Sequence, residues 1–317
     1  DHLEGRDSAL EIGDRTHVPT LSVGTDSLIP RAAVVRHDQG MTFTLPSPRT
    51  PDPMSAPPLR WGVLGPGWIA DQMVGALRAN TRQEVVAVGS RDVCRAQAFA
   101  ERHGIAGSHG SYEDLVSDPD VDIIYVASPH SGHREHALLA LDAGKHVLIE
   151  KAFARNAAEA RAIVERAHAT NLFCMEAMWT RFLPGTDVIR QCLEQDLLGP
   201  VEVVFADHGQ PLHPHGPQRL SDPDLAGGAL LDLGIYPVSF ASFALGGLTA
   251  VTAVGELAET GVDAQEAMIV TGKDGGTGVL HATMTARTET MASIVGRKGR
   301  LDIGERTQWL GAFYGPT

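Results

Sequence analysis

Three side chains in this sequence could pass a proton among themselves: Lys151, Asp232 and Tyr236. Asp232 and Tyr236 are four residues apart in a stretch, Gly227 to Leu245, that reads as one helix, so they share a face. The rest of that face is apolar (Ala229, Leu230, Leu233). Burying an ionised Asp there without a partner is costly. A cation such as Lys151 or a substrate hydroxyl would supply one; the plainer alternative is a capping Asp and a packing Tyr. Lys151 follows the apolar run His146 to Ile149, which predicts a strand ending at the carboxyl edge of a sheet, where ligands bind in such sheets. There it is either a solvated charge or a catalytic group. A free Tyr, with a pKa of about 10, is a poor base near neutrality. A nearby Lys cation favours the phenolate and lowers that value.

A second set of residues could hold a phosphate. The apolar run Leu59 to Leu64 leads into Gly65-x-Gly67-x-x-Ala70, and a helical segment, Asp71 to Ala79, follows. This is the strand, turn, helix order of a dinucleotide site. Gly65 permits the turn, Gly67 leaves room for a pyrophosphate, and the helix start at Trp68 and Ile69 offers N–H groups and a positive dipole end. The next strand, Glu84 to Gly89, ends at Ser90-Arg91, where an NAD site carries Asp or Glu. Ser90 and Arg91, with Arg95 one turn on, suit a 2′-phosphate instead. The sequence thus favours NADP over NAD; the alternative leaves Arg91 in solvent and makes Asp92 the ribose ligand.

The elements that position these groups alternate in type from Leu59 to about Arg181. The strand Gln83 to Ser90 is followed by a helix from Asp92 to His103, with Asp92 as N-cap. Ser111 opens a short helix, and Val121 to Ala127 is a strand. A helix from Arg134 closes at Gly144, and Asn156 caps an Ala-rich helix reaching about His168. Leu172 to Met175 is the final parallel strand. This rhythm predicts an α/β fold whose residues 58–181 form an N-terminal Rossmann domain, a doubly wound parallel sheet. Residues 182–317 predict a C-terminal α+β domain with a largely antiparallel open sheet, because strand-like runs follow one another without helices.

Residues 1–57 show no period and read as a disordered or non-native extension, with Met54 as the natural start. The net charge of −13 disfavours nucleic acid as a partner, and no apolar run approaches the roughly 20 residues of a membrane helix. Three cysteines (Cys94, Cys174, Cys192) without a C-x-x-C fit a reducing, cytoplasmic setting. His208, His213 and His215 lie in a Pro/Gly-rich stretch and read as a loop; no metal site is expected.

Taken together, Gly65-x-Gly67-x-x-Ala70, Ser90-Arg91-Asp92, Ser128-Pro129-His130-Ser131-Gly132-His133, Glu150-Lys151 and the Gly227 to Tyr236 segment resemble the Gfo/Idh/MocA oxidoreductase family. Within it, Met175 to Phe182 and Tyr236 look most like the branch of dimeric dihydrodiol dehydrogenases and NADP-dependent xylose dehydrogenases. The resemblance implies hydride transfer between NADP and a sugar or dihydrodiol, with Lys151, Tyr236 and Asp232 catalytic. It implies cofactor contacts at Ser128, Pro129, His130, Glu150 and Lys151. Trp179, Arg181 and Phe182 would wall the substrate pocket, and His133 would touch substrate or else pack. It also implies a homodimer through the C-terminal sheet. Two features depart from the family pattern. Ala152 stands where Pro usually follows the Lys, which loosens the turn that aims Lys151, and the chain ends at Thr317, which reads as a truncated C-terminus. A non-catalytic nucleotide-binding regulator or an inactive fragment is the alternative reading.

Overall fold

The computed structural model describes residues 20–23, 34–36 and 42–304. Three short strands come first: β1 (Thr20–Val23), β2 (Val34–Arg36) and β3 (Thr42–Thr44). The parallel sheet then builds from β4 (Arg60–Leu64), α1 (Trp68–Asn80), β5 (Glu84–Gly89), α2 (Val93–His103), β6 (Gly107–His109) and α3 (Tyr112–Ser117). It continues through β7 (Ile123–Val126), α4 (His133–Asp142), β8 (His146–Ile149), α5 (Ala157–Thr170) and β9 (Cys174–Glu176). The strand order is β6-β5-β4-β7-β8-β9, all parallel, as in a doubly wound sheet. The order reverses at β4 and β7, so a crevice opens at their carboxyl ends. Strand interiors such as Val63, Leu64, Ile124 and Ile149 are fully buried, as expected for a sheet covered on both faces.

Local capping chemistry sets several helix starts. Asp92 accepts from Cys94 N–H and Arg95 N–H, Ser111 from Asp114 N–H, and Asn156 from Glu159 N–H.

The second domain runs through α6 (Pro184–Glu194), β10 (Val201–Gly209), a π-helical turn (Leu230–Gly234) and α7 (Ile235–Ala244). It ends with β11 (Leu248–Leu257), β12 (Asp263–Gly272), β13 (Thr277–Thr283), β14 (Ala292–Gly296) and β15 (Arg300–Ile303). The sheet order is β1-β15-β14-β10-β13-β12-β11. Pairing is mostly antiparallel; β10 with β13 and β1 with β15 are parallel. One face packs on α6 and α7 through Val204, Ala241, Leu280 and Ile294. The stretch Pro223–Ala244 is long and apolar enough to cross a membrane by composition. Here it is broken into short turns and α7, and half of its most apolar window is buried inside the fold.

The described part of 1–57 departs from the expected unstructured extension. β1 adds an edge strand beside β15, Leu45 is buried, and Arg49 donates to the Asp187 carboxylate at 3.0 Å. A segment that borrows its partners from distant elements carries no period of its own, so its sequence gives no signal. The expected truncation concerns the chain end, whose residues 305–317 lie outside the described residues.

Candidate active site

The turn after β4 places Gly65 at φ +94° against the Ala127 carbonyl, a conformation that favours glycine. A Cβ on Gly67 would meet nothing within 4 Å, and Gly67 contributes no side-chain cap to α1. The first-turn N–H groups of α1 therefore face open space beside the crevice, and this cradle fits a pyrophosphate. Trp68 stands exposed over it. Ser90 is buried at the end of β5, with Arg91 and Arg95 exposed beside it. The Asp92 carboxylate is engaged as the α2 cap.

Lys151 reaches across to the π turn. Its Nζ donates to the Asp232 carbonyl at 2.7 Å and lies 3.3 Å from Asp232 Oδ1. Arg219 donates to the same Oδ1 at 3.0 Å. Burial pushes the Asp232 pKa upward, but the Lys151 and Arg219 cations outweigh it and hold the value at about 2. The Lys151 ammonium also sits over the Tyr236 ring, 5.0 Å from its centroid. Tyr236 is buried, and Trp179 Nε1 donates to its hydroxyl at 3.3 Å. The chain thus brings Lys151, Asp232, Tyr236 and Trp179 together at the carboxyl edge of the parallel sheet. Asp232 and Tyr236 do not lie on one regular α-helix, as their spacing suggests. The step between them crosses from the π turn into α7, a geometry that often marks functional sites.

Other expected site residues are placed differently. His133 is fully shielded from solvent, with its ring nitrogens 2.8 Å from the Ala152 carbonyl and 2.9 Å from the Ser128 carbonyl. Of the two roles open to it, the structure places it in the packing one, enclosed by main chain on both sides. The His130 ring likewise lies between the carbonyls of Lys151 and Ala226 and is buried. Glu150 accepts from the Tyr125 hydroxyl and the Lys151 N–H, so its carboxylate braces the turn that carries Lys151. Arg181 donates to Ser239 and stacks on Phe243, so it fastens the 179–182 turn to α7. Ser128 Oγ bonds His136 Nδ1 at 2.8 Å; Pro129 is half-buried and Phe182 exposed.

Two residues escape the sequence reading. Arg219 sits in a short 3-10 turn (Gln218–Ser221), and nothing local marks it as the partner of a residue on the later π turn. His208 belongs to β10, not to a loop; it is fully buried, 5.2 Å from the Tyr236 ring in edge geometry. Burial, helped by the Lys151 charge, lowers its pKa to about 4. It is therefore neutral at pH 7.

Beneath the π turn, Glu266 is buried beside Asp263, whose carboxylate accepts the Leu230 N–H. No donor among the described residues reaches either Glu266 oxygen by normal geometry. Burial first, then the Asp263 charge, pushes its pKa up to about 8. Folding thus favours the protonated acid. That stability is fully present below the ordinary Glu value and is lost as pH rises through about 8. Tm is expected to fall between about pH 5 and about pH 8, and Glu266→Gln to flatten that fall. Thermal unfolding across this range checks it; an unchanged slope removes Glu266 as the source.

Residues 59–178 match the family described as "Oxidoreductase family, NAD-binding Rossmann fold", and residues 187–302 match the "GFO/IDH/MocA C-terminal domain". The chain is 43% identical over 250 residues to the bovine (Bos taurus) trans-1,2-dihydrobenzene-1,2-diol dehydrogenase, a match covering 77% of this chain and 74% of that one. The chain belongs to the Gfo/Idh/MocA oxidoreductase family. The human member of the same name is 40% identical over 249 residues, with 77% and 74% covered. Among similar solved structures, the 3-ketoreductase KijD10 of Actinomadura kijaniata, in complex with NADP and TDP-benzene, superposes with a TM-score of 0.69 at 30% identity, over 78% of this chain and 77% of that one. The aldose-aldose oxidoreductase of Caulobacter crescentus gives 0.73 at 26%, over 80% and 79%. The Gfo/Idh/MocA chain described here is accordingly an NAD(P)-binding oxidoreductase.

Proposed function

We propose that this chain is an NADP-dependent dehydrogenase acting on a carbinol carbon of a cyclic vicinal diol or an aldose. The observation that carries this is the cluster of Lys151, Asp232 and Tyr236 at the sheet edge that also holds the phosphate cradle. Relatives named as dihydrodiol dehydrogenases and an aldose oxidoreductase support the substrate class. The KijD10 complex with NADP, together with Arg91, Arg95 and the already engaged Asp92, supports NADP.

The bound nicotinamide supplies the hydride acceptor or donor. Tyr236 exchanges the carbinol proton through its hydroxyl oxygen. Trp179 donates to that oxygen, which steadies a phenolate. Lys151 and Arg219 both lie against the Asp232 carboxylate, so two cations stand beside Tyr236, where they favour a developing alkoxide. Asp232 fixes the Lys151 ammonium. Trp179 and Phe182 border the substrate space with aromatic surface. An initial-rate screen of NADP⁺ reduction across trans-vicinal diols and aldoses tests the proposal. Turnover of one class is expected, and no turnover of any diol or sugar would overturn it.

A homodimer through the open face of the second sheet belongs to the same reading. Phe205, Val279 and Ile269 form one cross-strand row there, all exposed, and Val254 extends it. Ile269→Lys is expected to convert a dimer to a monomer, as read by light scattering at micromolar concentration. We also place the protein in the cytoplasm, which the three free thiols support.

A further inference from the structure

The turn Lys151-Ala152-Phe153 lies between β8 and α5 and makes no main-chain hydrogen bond to other main chain among the described residues. Such groups need partners when they are shielded from water. Here side chains supply them. The Glu150 carboxylate accepts the Lys151 N–H at 3.1 Å, and Glu176 accepts the Phe153 N–H at 2.9 Å. The Lys151 carbonyl meets His130 Nε2 at 3.1 Å, and the Ala152 carbonyl meets His133 Nδ1 at 2.8 Å. Four groups of one turn are thus pinned by side chains that follow or end three different strands: β7, β8 and β9. The far side of each imidazole is anchored too. His133 Nε2 lies 2.9 Å from the Ser128 carbonyl in the loop after β7. His130 Nδ1 lies 3.2 Å from the Ala226 carbonyl, in the segment that leads into the Asp232 turn. The His130 ring thus lies between the Lys151 carbonyl and the segment that leads into the Asp232 turn.

We propose that His130 and His133 are positioning residues for Lys151. Their rings fix the carbonyls of two successive peptides, those of Lys151 and Ala152, and so hold Nζ on Asp232. Ala152 has no ring to stiffen this turn by itself, so aim depends on the side chains around it. Burial disfavours the charged form of both rings, and a neutral imidazole has one N–H; the tautomer that donates to the Lys151 or Ala152 carbonyl is the one that pins the turn, and a nonpolar ring of the same size removes that bond. The inference rests on the proposed role of Lys151, and its test includes a readout independent of turnover.

His133→Phe, His133→Gln and His130→Phe would be compared with the parent protein. The first readout is the rate at which limiting acetic anhydride acylates Lys151, measured by peptide mass spectrometry with exposed Lys273 as internal control. The second is kcat against KM and NADP⁺ affinity. His133→Phe is expected to raise Lys151 acylation about tenfold relative to Lys273, because the turn opens more often. It is expected to lower kcat about 10²-fold, the scale of a displacement near 1 Å, with NADP⁺ affinity unchanged. His133→Gln keeps N–H donors and is expected to recover part of both losses. His130→Phe is expected to move both readouts the same way, and it carries the test if His133→Phe does not fold. Equal Lys151 acylation in variants and parent, with kcat within about threefold, overturns the proposal. A parent without turnover would instead overturn the dehydrogenase reading, and acylation alone would then decide the role of the histidines.

Discussion

Tyr236→Phe is expected to lower kcat by about 10²–10⁴-fold, the usual contribution of a positioned acid or base, while NADP⁺ affinity stays within about twofold. The buried hydroxyl, its bond from Trp179 and the cation over its ring are the grounds. Phe keeps the ring packed against His208 and under Lys151, so only the proton-carrying oxygen is lost. Lys151→Ala is expected to fall in the same range. It also leaves Asp232 with Arg219 alone, so the site loses one of the two cations that favour an alkoxide. Steady-state kinetics with a turned-over substrate, beside cofactor titration, separates the two quantities. Unchanged turnover in either variant removes that residue from the catalytic set.

Much of this site is legible in the sequence because its signals are local. An apolar strand, two glycines and a helix start occupy the few residues around Gly65 and Gly67, and the structure puts them at the switch point. Asp92, Ser111 and Asn156 are caps as their spacing predicts. What escapes is contact between distant residues. Arg219 meets Asp232 only because the 210–226 loop folds back, and β1 finds β15 from the opposite end of the chain. His208 is hidden by its company: the Pro and Gly that follow it mask the end of β10. His133 is a choice the sequence leaves open. Its place in a recognisable motif suggests a ligand contact, but motif position does not say which way a ring points. Two carbonyls, from residues 128 and 152, decide that.

The second large effect concerns cofactor choice. Arg91→Ala is expected to weaken NADP⁺ binding about 10–100-fold and to leave NAD⁺ binding nearly unchanged. A charge-assisted hydrogen bond to phosphate contributes about 1.5–3 kcal/mol, and only NADP⁺ carries the 2′-phosphate. The exposed Arg91 beside buried Ser90 is free to fold over that phosphate, and Arg95 lies in the first turn of α2 close by. Asp92→Asn is the control. If Asp92 gripped the ribose, its loss would weaken NAD⁺; as a cap, its replacement by another good capping residue leaves both cofactors bound.

The most direct measurement is titration of the purified chain with NADP⁺ and then NAD⁺, followed by intrinsic tryptophan fluorescence. Trp68 stands exposed on the phosphate cradle and Trp179 donates to Tyr236, so the site reports on itself. Saturable quenching with at least about tenfold preference for NADP⁺ is the predicted result. Preference for NAD⁺ would contradict the Ser90-Arg91 assignment, and the absence of binding by either would contradict the account of this chain as a competent oxidoreductase.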